Sequence, residues 1–343
     1  MLDNLLPECK PNAVKTRRFN AEDKEFIRCE IALLSKEGII QPRVSPSRAQ
    51  VVIVKDDENK KKRMCVDYSQ TINLYTELDA YPLPRIDDLV NTLASYNVFS
   101  TFDLRSAYHQ ISIADLDRRF TAFEADGKLW EFTRMPFGVT NDVPAFQREM
   151  DKMVADEVLS GTFPYLDNIT VAGRTQEEHD RNVKSFLGAI NRRNMTLNER
   201  KTVSSVTSIN ILGYCVGRGV IKPDCDRLRP LQELPPPGNV RALKRVLGLF
   251  AYYAKWVTGF SDKIQHFKRT TSFPLDELAL SDFNTLKGEI EKAALHSIDE
   301  NVPFVVECDA SDVAIFATLN QPGRPVAFMS RSLHGSELHY PTE

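Results

Sequence analysis

The stretch from Thr162 to Gly173, TFPYLDNITVAG, constrains the fold more than any other part of the chain. Two short apolar runs, Phe163 to Leu166 and Ile169 to Ala172, flank the pair Asp167-Asn168. Because aspartate and asparagine tolerate left-handed backbone conformations, this pattern predicts a tight β-hairpin with the Asp-Asn pair at its tip. Taken alone, such a pair is also typical of an ordinary solvated turn.

A second acidic strand end lies upstream, in FSTFDLRSAYHQI. Asp103 closes the apolar run Val98 to Phe102 just before a helical pattern begins. Metal-assisted phosphoryl transfer needs carboxylates of this kind, because two cations held about 4 Å apart clamp the attacking and leaving oxygens. We therefore expect Asp103 and Asp167 to lie on neighbouring strand ends and to share two Mg²⁺ ions, with Mn²⁺ as an alternative.

Three motifs, FDLRSAYHQI, RMPFGVTN and YLDN, resemble in their order and spacing the palm of a reverse transcriptase of gypsy-type long-terminal-repeat retrotransposons. The resemblance extends over nearly the whole chain. It implies an α+β fold, the right-hand polymerase, whose palm is an antiparallel sheet with helices on one face. The expected organisation is a lead-in (1–19), fingers (20–97), a palm (98–218) with part of the fingers near 115–140, a thumb and connection (219–302), and an incomplete ribonuclease H-like sheet (303–343).

The resemblance also assigns nucleotide-binding roles. The strand RMCVDY matches the fingers strand whose arginine holds an incoming triphosphate, which falls on Arg63, with Lys62 beside it. The hairpin alone leaves open which of Lys60, Lys61 and Lys62 assists Arg63. Arginine suits this role because its planar fork pairs with phosphate oxygens. The charged turn Asp56 to Lys62, which joins the predicted strands Val51 to Val54 and Met64 to Tyr68, is by itself typical of a solvated hairpin tip.

Three further nucleotide contacts follow from the same resemblance. Tyr108 matches an aromatic residue that packs against the sugar and excludes a 2′-hydroxyl; without the motif, a core tyrosine is the favoured interpretation. Phe137, in the Pro-Phe-Gly turn, matches a neighbour of the nucleotide pocket, although composition alone shows only a loop aromatic. Lys201 matches a lysine near the leaving pyrophosphate, where a protonated amine can donate a proton. The primer grip falls on a hairpin turn with Leu212, Gly213 and Tyr214.

The metal site departs from the family pattern at one position. Members of the family have two adjacent aspartates at the hairpin tip, whereas this chain has Asn168 after Asp167. An amide oxygen still faces a cation, but the site loses one negative charge. We expect catalytic roles for Asp103, Asp167 and Asn168, with the Leu104 carbonyl as one more hard ligand, and weaker metal binding without loss of the fold.

The C-terminal stretch resembles the start of a ribonuclease H domain. From Pro303 it predicts an apolar strand ending in Asp309, a second strand, a turn at Pro322-Gly323 and a third strand. Asp309 matches the first metal carboxylate of that domain. Because one ligand of a cluster is insufficient, we expect no ribonuclease H activity, and three strands without covering helices predict an open apolar face.

Local signals predict two helices that bear on the architecture. Asn20 is placed to cap a helix that Gly38 terminates. After Pro235 to Gly238, a second helix has an apolar face and a basic one, the latter formed by Arg241, Lys244, Arg245 and Lys255. The basic face is suited to a duplex backbone, with binding that weakens as salt rises, and is equally typical of a solvated face.

Bulk composition excludes some classes of protein. The 343 residues carry a formal net charge of only -3, so no global basic field marks a general nucleic-acid binder. No apolar run reaches the ~18 residues of a membrane span. The six widely spaced cysteines, without a CxxC pair or a secretory leader, are expected to be reduced and mostly buried. These features predict an intracellular protein, cytoplasmic or nuclear, that is not secreted.

The leading hypothesis is an RNA-directed DNA polymerase that uses deoxynucleoside triphosphates and an RNA or DNA template with a primer. Two alternatives stay open: a catalytically silent nucleic-acid-binding relic, and a palm fold that serves only as an interaction surface. Without a protease, integrase or zinc-knuckle pattern, we expect a piece of a polyprotein, a truncated copy or a domesticated relic.

Overall fold

The structure is a computed structural model that describes residues 4–55 and 62–339. Most of the predicted charged turn (residues 56–61) and the last four residues therefore lie outside the described residues. The α-helices are α1 Ala21–Lys36, α2 Ile86–Ala94, α3 Asp115–Arg118, α4 Asp142–Asp156, α5 Gln176–Arg192, α6 Cys225–Gln232, α7 Val240–Tyr252, α8 Phe260–Lys263, α9 Gln265–Arg269 and α10 Glu277–Lys292.

Within the described residues, the strands form four sheets. They are β1 Ile40–Pro42, β2 Ala49–Lys55, β3 Lys62–Asp67, β4 Val98–Asp103, β5 Phe123–Ala125, β6 Lys128–Phe132, β7 Thr162–Tyr165, β8 Asn168–Gly173, β9 Val203–Val206, β10 Ile209–Ile211, β11 Tyr214–Gly217, β12 Val220–Pro223, β13 Leu295–His296, β14 Val305–Ala310, β15 Ala314–Gln321 and β16 Arg324–Ser332. Helices and sheets alternate along the chain, which confirms the α+β fold.

One compact unit comprises Met1–Pro84, Thr101–Val171 and Arg181–Val203. It contains a five-stranded sheet with the order β1-β6-β5-β2-β3. α1 packs on this sheet through Ile27 and Ile31, which share a buried cluster with Phe123 and Phe132. Full burial of each such aliphatic side chain contributes about 1.5–3 kcal/mol, so the apolar face of α1 fixes the helix on the sheet.

A second sheet, with the order β7-β8-β4-β9, carries the two acidic strand ends. The two acidic strand ends belong to the first unit, in which the helix α4 covers them with a fully buried row formed by Phe146, Met150 and Met153. Phe102 on β4 and Phe186 on α5 pack against each other with ring centroids 4.9 Å apart. This core packs around the end of β4, on both sides of Asp103, through Phe102 and Leu104.

The second unit comprises Arg85–Ser100, Ala172–Asp180 and Ser204–Glu343. Its helical part has an aromatic core in which the rings of Phe250, Phe267 and Phe283 lie 5.8 to 6.0 Å apart. It also contains the sheet β10-β11-β12-β13 and the three-stranded sheet β14-β15-β16. Strand β14 is exposed along its whole length, including Val305 and Val306, whereas Ala314 on β15 and Val326 on β16 are buried, so the predicted open apolar face holds for β14 only.

The expectation of mostly buried cysteines is wrong. All six thiols are free, and four of them, Cys29, Cys65, Cys225 and Cys308, are exposed. Cys65 lies on an outward-facing position of the edge strand β3, and Cys308 lies on the uncovered β14. Side-chain alternation along β3 places Cys65 outside the core, and the exposure of β14 along its whole length leaves Cys308 outside it. Within residues 4–55 and 62–339, no helix is both long enough and apolar enough to cross a membrane.

Candidate active site

The structure brings the two acidic strand ends together. The Leu104 N–H, directly after Asp103, donates to the main-chain carbonyl of Asp167 at 3.1 Å. The backbones that carry both carboxylates are therefore hydrogen-bonded neighbours at one end of the two inner strands, β4 and β8. Asp103 is 9% exposed, and Asp167 is half-buried.

The hairpin turn differs from the prediction by one residue. Tyr165 pairs with Asn168 across the hairpin, so the two turn residues are Leu166 and Asp167 rather than Asp167 and Asn168. Leu166 takes the left-handed conformation with φ 55°, and Asn168 begins β8 with an exposed side chain. The expectation failed because the register of the flanking strands, rather than the local preference of Asn168, decides which residues occupy the turn.

A buried glutamine holds this unusual turn. The Leu166 N–H donates to Gln147 Oε1 at 2.9 Å, and Gln147 Nε2 donates to the Pro164 carbonyl at 3.1 Å and to Asp151 Oδ1 at 2.9 Å. Gln147 is fully buried on α4. A bulky residue at positive φ is strained, and a fully engaged buried amide is what stabilises it here.

Both oxygens of the Asp103 carboxylate have partners in one downstream segment. Asn198 Nδ2 donates to Oδ1 at 3.3 Å, and Lys201 Nζ donates to Oδ2 at 3.0 Å. The Asn198 N–H also donates to the Asp103 carbonyl at 2.8 Å. The structure thus places the predicted Lys201 directly on Asp103. Asn198 was missed because it lies 95 residues away in sequence without a local signal.

Gln110 fixes this downstream segment beside the strand end. Its amide accepts from the Thr196 N–H at 2.7 Å and donates to the Thr196 carbonyl at 2.9 Å. It also donates to the Arg105 carbonyl. A side-chain amide that pairs with both the N–H and the carbonyl of one residue acts as a clamp, so Gln110 sets the distance between Asp103 and the segment that carries Lys201.

Tyr108 forms an aromatic cluster next to these aspartates. It lies in a single 3₁₀ turn, Ala107–Gln110, rather than in the helix that the pattern predicted. Its ring lies 4.8 Å from Phe137 and stacks 4.9 Å from Phe146. Burial, followed by the charges of Asp142 and Asp167, raises the pKa of Tyr108 to about 12, so the phenol stays neutral at physiological pH.

Phe137 is presented by a tightly fixed turn. It is 50% exposed, and Gly138 after it has φ 86°. The Gly138 N–H donates to Asp142 Oδ2 at 2.9 Å, while its carbonyl accepts from Asn73 Nδ2 at 2.9 Å. Burial raises the pKa of the Asp142 carboxyl, which the two backbone N–H donors partly oppose. An exposed ring on a fixed turn is suited to contact a planar ligand.

Because of the partly buried His109, we expect the free energy of unfolding to decrease in acid. Its ring lies 5.3 Å from Phe137, and burial lowers its pKa to about 4. An unfolded histidine titrates near 6.5, so between pH 6.5 and pH 4 the unfolded chain binds a proton that the folded chain does not. This contribution to the free energy of unfolding is complete above pH 6.5 and is lost as the pH falls to 4. We expect His109→Phe to lose less stability than wild type between pH 7 and pH 4.5 in urea unfolding.

The exposed His339 provides the control for this measurement. The change His339→Phe should leave the pH dependence of unfolding as it is in the wild type. An equal loss of stability in His109→Phe and in the wild type would contradict the assignment.

Lys62 and Arg63, the two predicted triphosphate ligands of the fingers, are adjacent residues of β3. Successive side chains of a strand point to opposite faces. Lys62 is 16% exposed and pairs with Asp23 at 2.7 Å and with Glu22 at 2.5 Å. These partners raise the Lys62 pKa. Lys62 therefore ties β3 to the first turn of α1. Arg63, opposite Val54, is exposed.

The predicted primer-grip residues lie in the second unit. Leu212 and Gly213 form the turn between β10 and β11, with φ 52° and 91°. The Tyr214 hydroxyl donates to Asp87 Oδ1 at 3.0 Å and accepts from Lys255 Nζ. Burial raises the Tyr214 pKa against the opposing effect of Lys255. Tyr214 thus fixes its hairpin to α2 and to the segment after α7.

The residues at the strand ends fit a hard divalent cation. Asp103 and Asp167 supply carboxylates, and Asn168 and the Leu104 carbonyl add neutral oxygens, the donor types that Mg²⁺ and Mn²⁺ prefer. No group of three or more His, Cys, Asp or Glu side chains suited to a metal occurs in the described part of the chain. A cation here would rely on the two carboxylates and on oxygens from elsewhere. Asp309, on the exposed β14, likewise has no such cluster within the described ranges.

Comparison with known proteins agrees with this geometry. Residues 53–216 match the family Reverse transcriptase (RNA-dependent DNA polymerase), and residues 276–343 match the RNase H-like domain found in reverse transcriptase. The chain therefore carries a reverse transcriptase domain followed by a segment that matches the ribonuclease H-like domain of reverse transcriptases.

The particular relatives are retrotransposon polyproteins. The Pol polyprotein from transposon opus of Drosophila melanogaster is 32% identical over 337 residues, 91% of this chain and 34% of the relative. That from transposon gypsy of the same organism is 30% identical over 340 residues, 93% of this chain and 33% of the relative. The chain thus has the reverse transcriptase region of a gypsy-type Pol polyprotein and spans about a third of these relatives.

Solved structures show the same fold. The foamy viral protease-reverse transcriptase in complex with double-stranded DNA matches 99% of this chain and 61% of its own, with a TM-score of 0.83 and 20% identity. The same viral protein in complex with an RNA/DNA hybrid matches with a TM-score of 0.77 and 20% identity.

Proposed function

We propose that the chain is an RNA-directed DNA polymerase that extends a primer on an RNA or DNA template. The observation that carries this proposal is the hydrogen bond from Leu104 to Asp167, which makes the two carboxylate-bearing strand ends neighbours. Primer extension by the purified protein, with deoxynucleoside triphosphates and Mg²⁺ or Mn²⁺, tests it. Because these nucleotides are available inside cells, the proposal implies an intracellular site of action.

Asp103 and Asp167 would hold two divalent cations, with the Leu104 carbonyl and Asn168 as supporting oxygens. When bound, such cations stabilise the charge that develops on the attacking and leaving oxygens. The core around Phe102 and Phe146 keeps both strand ends in place. Gln147, through Leu166, holds the turn that presents Asp167.

The nucleotide would lie against Tyr108 and Phe137. The neutral Tyr108 ring, stacked on the buried Phe146, forms a fixed wall at which a 2′-hydroxyl is excluded. The exposed Phe137 ring offers an apolar surface to the sugar or base. Arg63 would pair with the triphosphate, and Lys201 would donate a proton to the leaving pyrophosphate.

A primer-template duplex is the proposed partner. The foamy viral structures that share this fold contain double-stranded DNA and an RNA/DNA hybrid. In this chain, α7 exposes Arg241, Lys244 and Arg245 on the side opposite its buried Leu243 and Val246, a row suited to phosphates. The turn of Leu212 and Gly213 would contact the primer end, because its backbone permits close approach.

A catalytically silent duplex-binding protein is the second candidate, and Asn168 is the observation that favours it. One carboxylate fewer weakens metal binding while leaving the basic row on α7 unchanged. Salt-dependent duplex binding without primer extension would select this alternative. Absence of both would leave only a protein-interaction role. For the C-terminal sheet we propose no ribonuclease H activity, since Asp309 would need further carboxylates.

Restoring the missing charge should raise activity. In Asn168→Asp, an additional carboxylate faces the cations, and a unit charge at about 4 Å contributes at least about 1 kcal/mol even in water. We expect the half-saturating Mg²⁺ concentration in primer extension to fall by about fivefold or more. The matched change Asn191→Asp, at an exposed position of α5, should have little effect. No gain in Asn168→Asp would contradict a ligand role for this position.

A further inference from the structure

Lys201 and Asp103 form an ion pair whose two members differ in their environment. Lys201 Nζ lies 3.0 Å from Asp103 Oδ2; the Lys201 side chain is 64% exposed, and the Asp103 side chain is 12% exposed. The lysine head is therefore free to move into solvent, whereas the carboxylate is held in the protein. An ion pair with an exposed partner is weak and is readily exchanged.

Asn198 keeps the carboxylate in place when the lysine moves. Its side chain donates to the other oxygen, Oδ1, and its backbone N–H donates to the Asp103 carbonyl. The Lys201 N–H in turn donates to the Asn198 carbonyl at 3.1 Å. The lysine is thus attached at its backbone to the residue that fixes Asp103, while its ammonium group rests on the oxygen that a cation would need.

We propose that Lys201 is an exchangeable counter-ion of the metal site. Its ammonium neutralises Asp103 until a divalent cation binds to the same oxygen, and the exchange releases the ammonium for the phosphates of the nucleotide. This inference rests on the proposed metal site and adds that metal binding and lysine release are one event.

The charge balance at the site supports such an exchange. Asp103 and Asp167 contribute two negative charges and Lys201 one positive charge, while Asn168 contributes none. A divalent cation that displaces the lysine is attracted by the full negative charge of both carboxylates. The described residues offer no third carboxylate at the site. Competition from a single ammonium therefore lowers the affinity of the site for a divalent cation substantially.

Mn²⁺ binding without nucleotide tests the proposal directly. Unbound Mn²⁺ is measured by electron paramagnetic resonance for the wild type, Lys201→Met, Lys201→Arg and Asp103→Asn. We expect Lys201→Met to bind Mn²⁺ about two- to fivefold more tightly than wild type, the size of an exposed ion pair. Lys201→Arg keeps the competing charge and should bind as the wild type does.

Arg200 provides the matched control, because it lies in the same exposed 3₁₀ turn, Glu199–Lys201. Arg200→Met removes the same charge and should change the Mn²⁺ affinity less than Lys201→Met. Equal gains in the two variants, or no gain in Lys201→Met, would overturn the exchange. Unchanged Mn²⁺ binding in Asp103→Asn would instead overturn the metal site itself, so the two failures are distinguishable.

Discussion

Asp103→Asn is expected to abolish primer extension while leaving duplex binding within about twofold of wild type. Asparagine keeps the size of the side chain and still accepts from Asn198, but it removes the charge that a cation needs. Loss of a group that merely orients a metal ligand costs about 10- to 100-fold, so loss of the ligand should cost more than about a hundredfold in extension rate. Single-turnover extension and salt-dependent duplex binding, measured on the same preparation, separate the two effects.

Asp115→Asn is the control for this experiment. Asp115 is exposed and pairs with Arg118 in the short helix α3, so its amide variant should extend primers normally. Simultaneous loss of extension and duplex binding in Asp103→Asn would show that Asp103 is a structural residue. Extension at the wild-type rate would exclude it as a ligand.

Local sequence signals were sufficient to predict several elements near the site. Asn20 caps α1 by accepting from the Asp23 N–H at 2.7 Å, and Gly38 follows the helix with φ 69°. The run Val98 to Phe102 ends in Asp103 as predicted. These features depend on residues within a few positions of one another, so their physical causes are visible in the sequence.

Contacts between distant segments were not accessible from the sequence. Lys62 has the positive charge that a phosphate ligand needs, yet it pairs with Glu22 and Asp23, about 40 residues earlier. Asn198 and Gln110 carry no motif, yet they hold the segment that brings Lys201 to Asp103. In each case the partner is chosen by the packing of the fold, which local preferences do not encode.

The hairpin turn that carries Asp167 depends both on local sequence signals and on a contact with a distant segment. An apolar-Asp-Asn-apolar pattern predicted the hairpin correctly, but the left-handed residue is Leu166, whose own preference opposes that conformation. What makes it acceptable is Gln147, 19 residues upstream. Strain of this kind persists only where the surroundings over-determine it, and it occurs here directly before a candidate metal ligand.

Gln147→Leu should therefore impair both stability and extension. Leucine fills the same buried space but leaves the Leu166 N–H and the Pro164 carbonyl without their side-chain partner, and each unsatisfied buried group costs about 1–3 kcal/mol. We expect the free energy of unfolding to fall by about 2 kcal/mol or more. Relaxation of Leu166 would also displace Asp167, and a shift of about 1 Å at a reacting centre costs about a hundredfold.

Extension is measured well below the unfolding temperature of the variant, so that loss of folded protein does not contribute. Gln70→Leu makes the same change at an exposed position and should alter neither property. If Gln147→Leu lowered stability but extended primers at the wild-type rate, Gln147 would support the core without positioning Asp167. If Gln147→Leu extends primers slowly, the double variant with Leu166→Gly tests the turn itself. Glycine takes the left-handed conformation without needing the buried amide. Partial recovery of the extension rate in the double variant would identify the strained turn as the link between Gln147 and Asp167.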